Sequence, residues 1–349
     1  MSCSFGEKFR ITVFGQSHSE MIGVVIDGIE AGIKLDVEKI ESFMARRSPK
    51  KDAYSTQRNE KDRFEIVSGI VDGVTCGAPL CALIKNTDAH SQDYDKFLRF
   101  PRPSHADFAA CMKHNGFNDI RGGGNFSGRM TAPLCFAGAV AMQILNEKGI
   151  FVGAHILKIG DADDDSFDSV NVSVSDFTDD DFPVIKKDAK EKMLGIIEAA
   201  RADKNSVGGE IECAVVGLPA GIGEPMFDGI ENTVSRAVFA VPAVKGIEFG
   251  STKNFGSDNN DSFVVYDGKV VTQTNNHGGI LGGISSGMPV IFRTLIKPTP
   301  SIGRVQKTVD LETKTESEIE IKGRHDPCIV PRAVPCIESA AAIALINLI

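Results

Sequence analysis

The sequence predicts an α+β fold, a single large domain over residues 1–349 in which a helical layer is sandwiched between sheets. Three observations carry this. Short β-branched runs alternate with amphipathic segments along the chain. Thr131 to Glu147 is apolar on nearly every face and rich in alanine, the mark of a helix buried between layers. A strand-turn pattern also recurs: Val24 to Ile33 resembles Ala214 to Ile222, and an amphipathic stretch follows each. A duplicated sheet-and-helix unit, with half-repeats near 1–150 and 151–349, would put a site where the halves meet. Two ordinary strand-turn signals would read the same way.

In chain order, Phe9 to Phe14 and Gly23 to Asp27 read as strands. Asp36 is an N-cap for a helix whose Val37, Ile40, Phe43 and Met44 fall at helical spacing. Arg46 and Arg47 end it, where the helix dipole favours cations whether or not they serve a site. After the buried helix come Asp188 to Ala202, Gly229 to Phe239 and a last apolar helix from Cys336.

The net charge of -9 is local. Asp161, Asp163, Asp164, Asp165, Asp168, Asp176, Asp179, Asp180 and Asp181 lie in one stretch with no Lys or Arg, and the rest of the chain is close to neutral. This composition predicts a mobile surface loop with little bearing on the site. The eight cysteines form no CxxC pair, and with no signal peptide they read as reduced thiols of a cytoplasmic protein without a zinc site. The most apolar stretches, Ala132 to Leu145 and Ala340 to Ile349, fall short of the ~20 residues of a membrane span. The expected partner is a small molecule, with neither nucleic acid nor membrane.

Three polar islands carry a histidine each: Gly15-Gln16-Ser17-His18, Arg102-Pro103-Ser104-His105-Ala106-Asp107 and Gly323-Arg324-His325-Asp326-Pro327. Imidazoles in glycine and proline turns, two of them beside an arginine and a carboxylate, suit proton transfer on an anionic substrate. The plain alternatives are a strand-end histidine at His18, a proline-turn histidine at His105 and a helix N-cap at Asp326, which proline follows. His90, His114 and His155 lack such context. Arg46-Arg47, Ser55-Thr56-Gln57-Arg58 and Arg121-Gly122-Gly123-Gly124-Asn125-Phe126-Ser127-Gly128-Arg129 put guanidiniums in turns and at helix ends. Three glycines let backbone N–H groups approach a ligand, and arginine grips phosphate or carboxylate with two bonds. Asn275 to Gly287, rich in glycine and amides, has the composition to lie flat on a ring system. Lys297-Pro298-Thr299-Pro300-Ser301 sets a lysine beside two hydroxyls, as a phosphate or a flavin pyrimidine would need. Each of these is also compatible with a plain turn.

In this order the blocks FGQSH, RRSP, STQR, RPSHAD, DIRGGG, PAVKGIE, NHGGILGGISSG, KPTPSI, GRHDPC and PRAVP resemble the chorismate synthase family along nearly the whole chain. The resemblance implies a lyase that converts 5-enolpyruvylshikimate 3-phosphate to chorismate by 1,4-elimination of phosphate in the shikimate pathway. It implies reduced FMN as cofactor in a redox-neutral reaction, with reductant, NADPH among the candidates, coming from a separate source. It implies a homotetramer of β-α-β sandwich subunits with central helices between antiparallel sheets. By matching positions, His18 would protonate the leaving phosphate with Ser17 beside it, His105 would hold the charge state of the flavin pyrimidine, and Asp326 would assist proton removal at flavin N5. Arg47 and Arg58 would grip substrate, with Arg129 and Arg332 as further candidates. Asn125, Phe126, Ser127, Ala243, Gly282, Lys297, Pro298, Thr299, Pro300, Ser301 and Arg324 fall where the family contacts FMN.

The chain departs from the family at Gln16 and Ser19 (usually Glu and Gly), Ser104 (Gly), Asn125-Phe126 (Arg-Ser) and Pro242 (Asn). The Asn125-Phe126 change removes a cation from the flavin loop. The residues leave two other readings: an oxidoreductase using NAD(P)H directly, for which no dinucleotide fingerprint is present, and an FMN-binding homologue without turnover.

Overall fold

The computed structural model describes residues 3–50, 62–87, 94–321 and 326–349. The first half builds a five-stranded antiparallel sheet from β1 (Ser4–Phe5), β2 (Arg10–Gly15), β3 (Met21–Asp27), β4 (Phe64–Ser68) and β7 (Leu80–Lys85), in the order β1-β2-β3-β7-β4. A small hairpin of β5 (Ile70–Val71) and β6 (Val74–Thr75) precedes β7. The second half builds another five-stranded antiparallel sheet from β8 (Phe151–Ile159), β9 (Ala162–Asp163), β10 (Gly209–Val216), β11 (Val244–Phe249) and β16 (Val290–Ile296), ordered β11-β16-β10-β8-β9. Hairpins β12–β13 (Phe263–Tyr266, Lys269–Thr272) and β14–β15 (Ile280–Leu281, Ile284–Ser285) precede β16, and β17–β18 (Val305–Asp310, Thr315–Glu320) follows it.

The recurring strand-turn pattern corresponds to recurring geometry. Gly28 and Gly217 end their strands at φ 85° and 81°. The Thr75 hydroxyl donates to the Glu30 carbonyl at 2.6 Å and accepts from the Ile33 amide at 2.9 Å. The Ser285 hydroxyl makes the same two bonds, to the Pro219 carbonyl and from the Ile222 amide, at the same distances.

The helical layer consists chiefly of α1 (Val37–Arg47), α3 (Thr131–Glu147), α5 (Ile230–Val238) and α7 (Val330–Ile346), while α2 (Asp107–Lys113), α4 (Lys187–Ala202) and the short α6 (Gly256–Asn259) lie outside it. The Asp36 cap forms as predicted, accepting from the Lys39 amide at 3.1 Å. Helices α3 and α7 pack together at the centre, α3 on β3 and β7, α7 on β8 and β10. They approach so closely that a Cβ on Gly138 would lie 2.2 Å from Ser339 Cβ. Being apolar all round is what this two-sided burial requires. Among the described residues no helix is long and apolar enough to cross a membrane.

Two expectations need correction. The last helix starts at Val330, not Cys336. Pro331 sits in its first turn, where a missing N–H costs nothing, and Pro335 is carried inside the helix by packing against α3. The acidic stretch is not a loose loop. Phe167 and Val172 are buried against Ala214, Val216 and Ile291, and Phe177 covers Gly153. The Asp164 carboxylate accepts from the Ile185 and Lys186 amides at 2.6 and 3.0 Å. Asp179 and Asp181 reach Arg46 and Lys50, in and just beyond the last turn of α1. Three apolar side chains outweigh a composition that by itself reads as solvated.

Candidate functional site

A cavity of about 990 Å³ opens between the halves. Its walls come from the end of α1, the segments around 94–106 and 122–131, the turn into β11, the stretch after β16, and the start of α7. The sequence scatters these segments; the sandwich brings their ends to one place.

Gly122, Gly123 and Gly124 run through left-handed φ values of 59°, 85° and 57°, a path that L side chains resist. The turn lays backbone against both leading histidines. A Cβ on Gly122 would lie 2.3 Å from His18 Cε1 and 2.4 Å from Ser17 Oγ, and one on Gly123 would lie 3.2 Å from His105 Cε1. The Ser17 amide donates to the Gly124 carbonyl at 3.0 Å. His18 also meets the Tyr94 ring edge to face at 5.1 Å. Ser17 and His18 thus stand directly behind the cavity wall, with His105 in it. Of the two arginines flanking the glycines, Arg129 lines the cavity, whereas Arg121 bonds Asp119 at 2.8 Å and holds that carboxyl below its usual range.

His105 Nδ1 lies 2.6 Å from the Asp107 carboxylate, which also takes bonds from Arg102 Nε and Nη2 at 2.7 and 2.8 Å. Burial pushes the Asp107 carboxyl up, but the Arg102 and His105 bonds outweigh it and hold it well below the carboxylate range. Arg102 covers the Phe97 ring at 4.4 Å and donates to Ser301 Oγ at 3.3 Å. Ser104 takes φ 58°, so the glycine usual in the family would be unstrained here. Its carbonyl accepts from Lys297 Nζ, and the Lys297 amide donates to Ala243, itself at φ 75°.

Three cavity-lining arginines pair with two carboxylates. Arg47 and Arg129 share Asp62, Arg47 at 2.8 Å, and Ser48 Oγ donates to the same carboxylate at 2.7 Å. Arg332 holds both Asp326 oxygens at 3.1 and 3.0 Å and donates to the Arg47 carbonyl at 2.9 Å. Asp326 is not an N-cap, since α7 begins after Ile329. Burial pushes Asp62 up, yet the two guanidiniums outweigh it and leave the carboxyl below its usual value. Among the described residues, these three arginines outnumber the two carboxylates they bond. Lys245 and Lys297 also line the cavity, and among the described residues neither has a carboxylate partner. Burial and the nearby Lys245 lower the Lys297 pKa. Arg46 turns the other way, into a bidentate pair with the fully buried Glu338 at 2.7 and 3.1 Å.

Of the remaining candidates, Asn125, Phe126, Ser127, Ala243, Lys297, Thr299, Pro300 and Ser301 line the cavity. Pro298 does not; it packs on Gly208. Gly282 is also outside the lining, in the β14–β15 turn. Arg58 and Arg324 lie outside the described residues. Sequence reasoning missed Asp62, Tyr94 and Lys245, and it named Asp107 in the island of His105 without assigning it a role of its own. Asp62, in a mixed-charge run, carried no signal.

The family model for chorismate synthase matches residues 9–349. The chain belongs to the chorismate synthase family. A chorismate synthase of Korarchaeum cryptofilum is 44% identical over 350 residues, covering 98% of this chain and 95% of that one. Another, of Lancefieldella parvula, is 44% identical over 365 residues, with 99% and 96% covered. The fold also matches a crystal structure of chorismate synthase at TM-score 0.75 and 24% identity, over 99% of this chain and 92% of that one. The chain is therefore an enzyme of the lyase class, built on that family's fold.

Proposed function

We propose that the chain eliminates phosphate from 5-enolpyruvylshikimate 3-phosphate to give chorismate, with reduced FMN as cofactor. The observation that carries this reading is the meeting of His18 and His105 across Gly122–Gly123 at a cavity walled by Arg47, Arg129 and Arg332. An elimination that expels phosphate needs cations for a substrate with one phosphate and two carboxylates, and a proton donor at the leaving oxygen. The arginines supply the first, arrayed by Asp62 and Asp326 and still in excess of them. His18, with Ser17 beside it, supplies the second.

The residues present fit FMN. The Thr299 hydroxyl is buried without a partner among the described residues, two lysines lack counter-charges there, and the glycine turn leaves backbone open to a polar ring edge. Asn125, Phe126, Ser127, Ala243, Lys297, Thr299 and Ser301 would hold it. When bound, reduced flavin supplies electron density that assists phosphate departure and a nitrogen that accepts the remaining proton. His105 is at hand to balance charge on the bound ring system, and Asp326, oriented by Arg332, to take up a proton at the cavity wall. The cytoplasm, a homotetramer and an outside reductant such as NADPH complete the proposal.

The test is anaerobic incubation of the protein with 5-enolpyruvylshikimate 3-phosphate and chemically reduced FMN. Chorismate and phosphate in equal amounts, with no net flavin oxidation and no product from oxidised FMN, is the expected result. Folded protein that binds reduced FMN yet forms no product would overturn it.

A further inference from the structure

We propose that Asp107, clamped by Arg102, is a positioning residue that fixes the tautomer of His105 so that Nε2 faces the cavity as a hydrogen-bond acceptor whenever the ring is neutral. The inference rests on the reading of His105 as part of the site, and its geometry is independent of any ligand.

His105 Nδ1 and Arg102 Nη2 converge on the same oxygen, Asp107 Oδ1, at 2.6 and 2.8 Å. The 3.1 Å between Nδ1 and Nη2 is then the spacing of two donors sharing one acceptor. The opposite assignment, with Arg102 donating to a bare Nδ1, would set two lone pairs against each other at 2.6 Å in a buried site, so the proton belongs on Nδ1. A neutral imidazole otherwise tends to carry its proton on Nε2, which would turn a donor toward the cavity. Asp107 inverts that preference and leaves Nε2 beside Gly123, whose Cβ position is 3.4 Å away.

The carboxylate is itself fixed. Its side chain is 1% exposed, and Arg102 grips both oxygens while Asp107 Oδ2 also accepts the Arg102 amide at 3.1 Å. Arg102 is held in turn by Phe97 and by Ser301 from the other half of the chain. Among the described residues, the charged groups near the ring are Asp107 and Arg102 on its own segment and Lys297, which reaches the Ser104 carbonyl from the stretch after β16; the glycine turn offers only backbone. A surface salt bridge would need none of this support, whereas a tautomer set against its intrinsic preference needs a carboxylate that cannot rotate away.

The experiment is imidazole ¹⁵N NMR on the ligand-free protein, with the His105 signal assigned by its loss in His105→Ala. In the parent the neutral ring should show the Nδ1–H signature. In Asp107→Asn, whose amide is free to flip and donate, that signature should be lost, and Asp107→Glu should restore it. In the elimination assay Asp107→Asn should lower kcat on the order of 100-fold with KM nearly unchanged. An Nδ1–H signal that persists in Asp107→Asn, or a kcat loss no larger than the loss of folded protein, would overturn the proposal. If Asp107→Asn does not fold, Asp107→Glu decides: an Nε2–H ring in that folded variant or in the parent refutes the assignment, and an Nδ1–H ring in both supports it. Absence of chorismate from the parent would sink the proposed function and leave the tautomer result standing.

Discussion

Replacing Gly122 with alanine should separate the position of His18 from the stability of the fold. The residue has φ 59°, and the added Cβ would sit 2.3 Å from His18 Cε1 and 2.4 Å from Ser17 Oγ. Holding a non-glycine residue in the left-handed region costs about 1–2 kcal/mol. Unfolding entropy of about 2.1 cal/mol/K per residue, summed over 349 residues, turns that into a Tm drop of about 1–3 °C. The clashing atoms are side-chain ends, so the fold accommodates them by moving the imidazole rather than the backbone. Ordinary contact requires a displacement of about 1 Å, and misplacement on that scale costs on the order of 100-fold in rate. Gly149→Ala is the control: φ is 76° and nothing lies within 4 Å of the new Cβ, so it carries the same backbone cost without the clash. The assay pairs thermal unfolding with chorismate formation under anaerobic conditions. Gly122→Ala turning over within a few-fold of Gly149→Ala would refute the claim that His18 is held at a required position.

Asp62→Asn removes the shared counter-charge of two buried guanidiniums and should cost about 3–5 kcal/mol in urea unfolding at neutral pH. Because the folded carboxyl lies below its usual 3.8, the parent keeps this contribution above that pH and loses it as pH falls through the folded value, a dependence the variant should lack. His155 is buried between Asp164 at 3.5 Å and Glu212 at 3.1 Å; burial lowers its pKa, but the two carboxylates outweigh that and raise it above 6.5. Its contribution is complete below 6.5 and is lost as pH rises through the folded value, so the parent's urea midpoint should fall with rising pH more steeply than that of His155→Gln. Arg46→Met alone should lose about 3–5 kcal/mol by stranding Glu338, while Arg46→Met with Glu338→Leu should recover most of it; equal midpoints for the single and double variants would contradict the pairing.

Much of the frame was legible because it depends on local rules. The Asp36 cap, the span Thr131–Glu147 and the two strands ahead of them follow from side-chain chemistry within a few residues. The start of the last helix was placed too late, at Cys336, because the apolar run begins there, whereas the first turns, with Pro331 and Pro335, are helical in contact with α3. The acidic stretch was misjudged because nine aspartates hid three aromatic or branched anchors whose partners lie on strands distant along the chain, from Gly153 to Ile291.

The site divides along the same line. His18, His105, Asp326 and the glycine turn could be named from the chain, since each pairs a reactive side chain with unusual backbone chemistry. That Arg46 turns to Glu338 while its neighbour Arg47 turns to Asp62 and the cavity could not be. Adjacent residues at a helix end look alike in sequence, and only the sheets and helices packed on each side decide which one is closed off against Glu338 and which one lines the cavity. The sequence by itself named the histidine islands, the glycine turn and the arginines, because each sets polar side chains in distinctive local chemistry. The tertiary structure alone decided which charges cancel, because that depends on distances of a few ångströms between segments far apart along the chain.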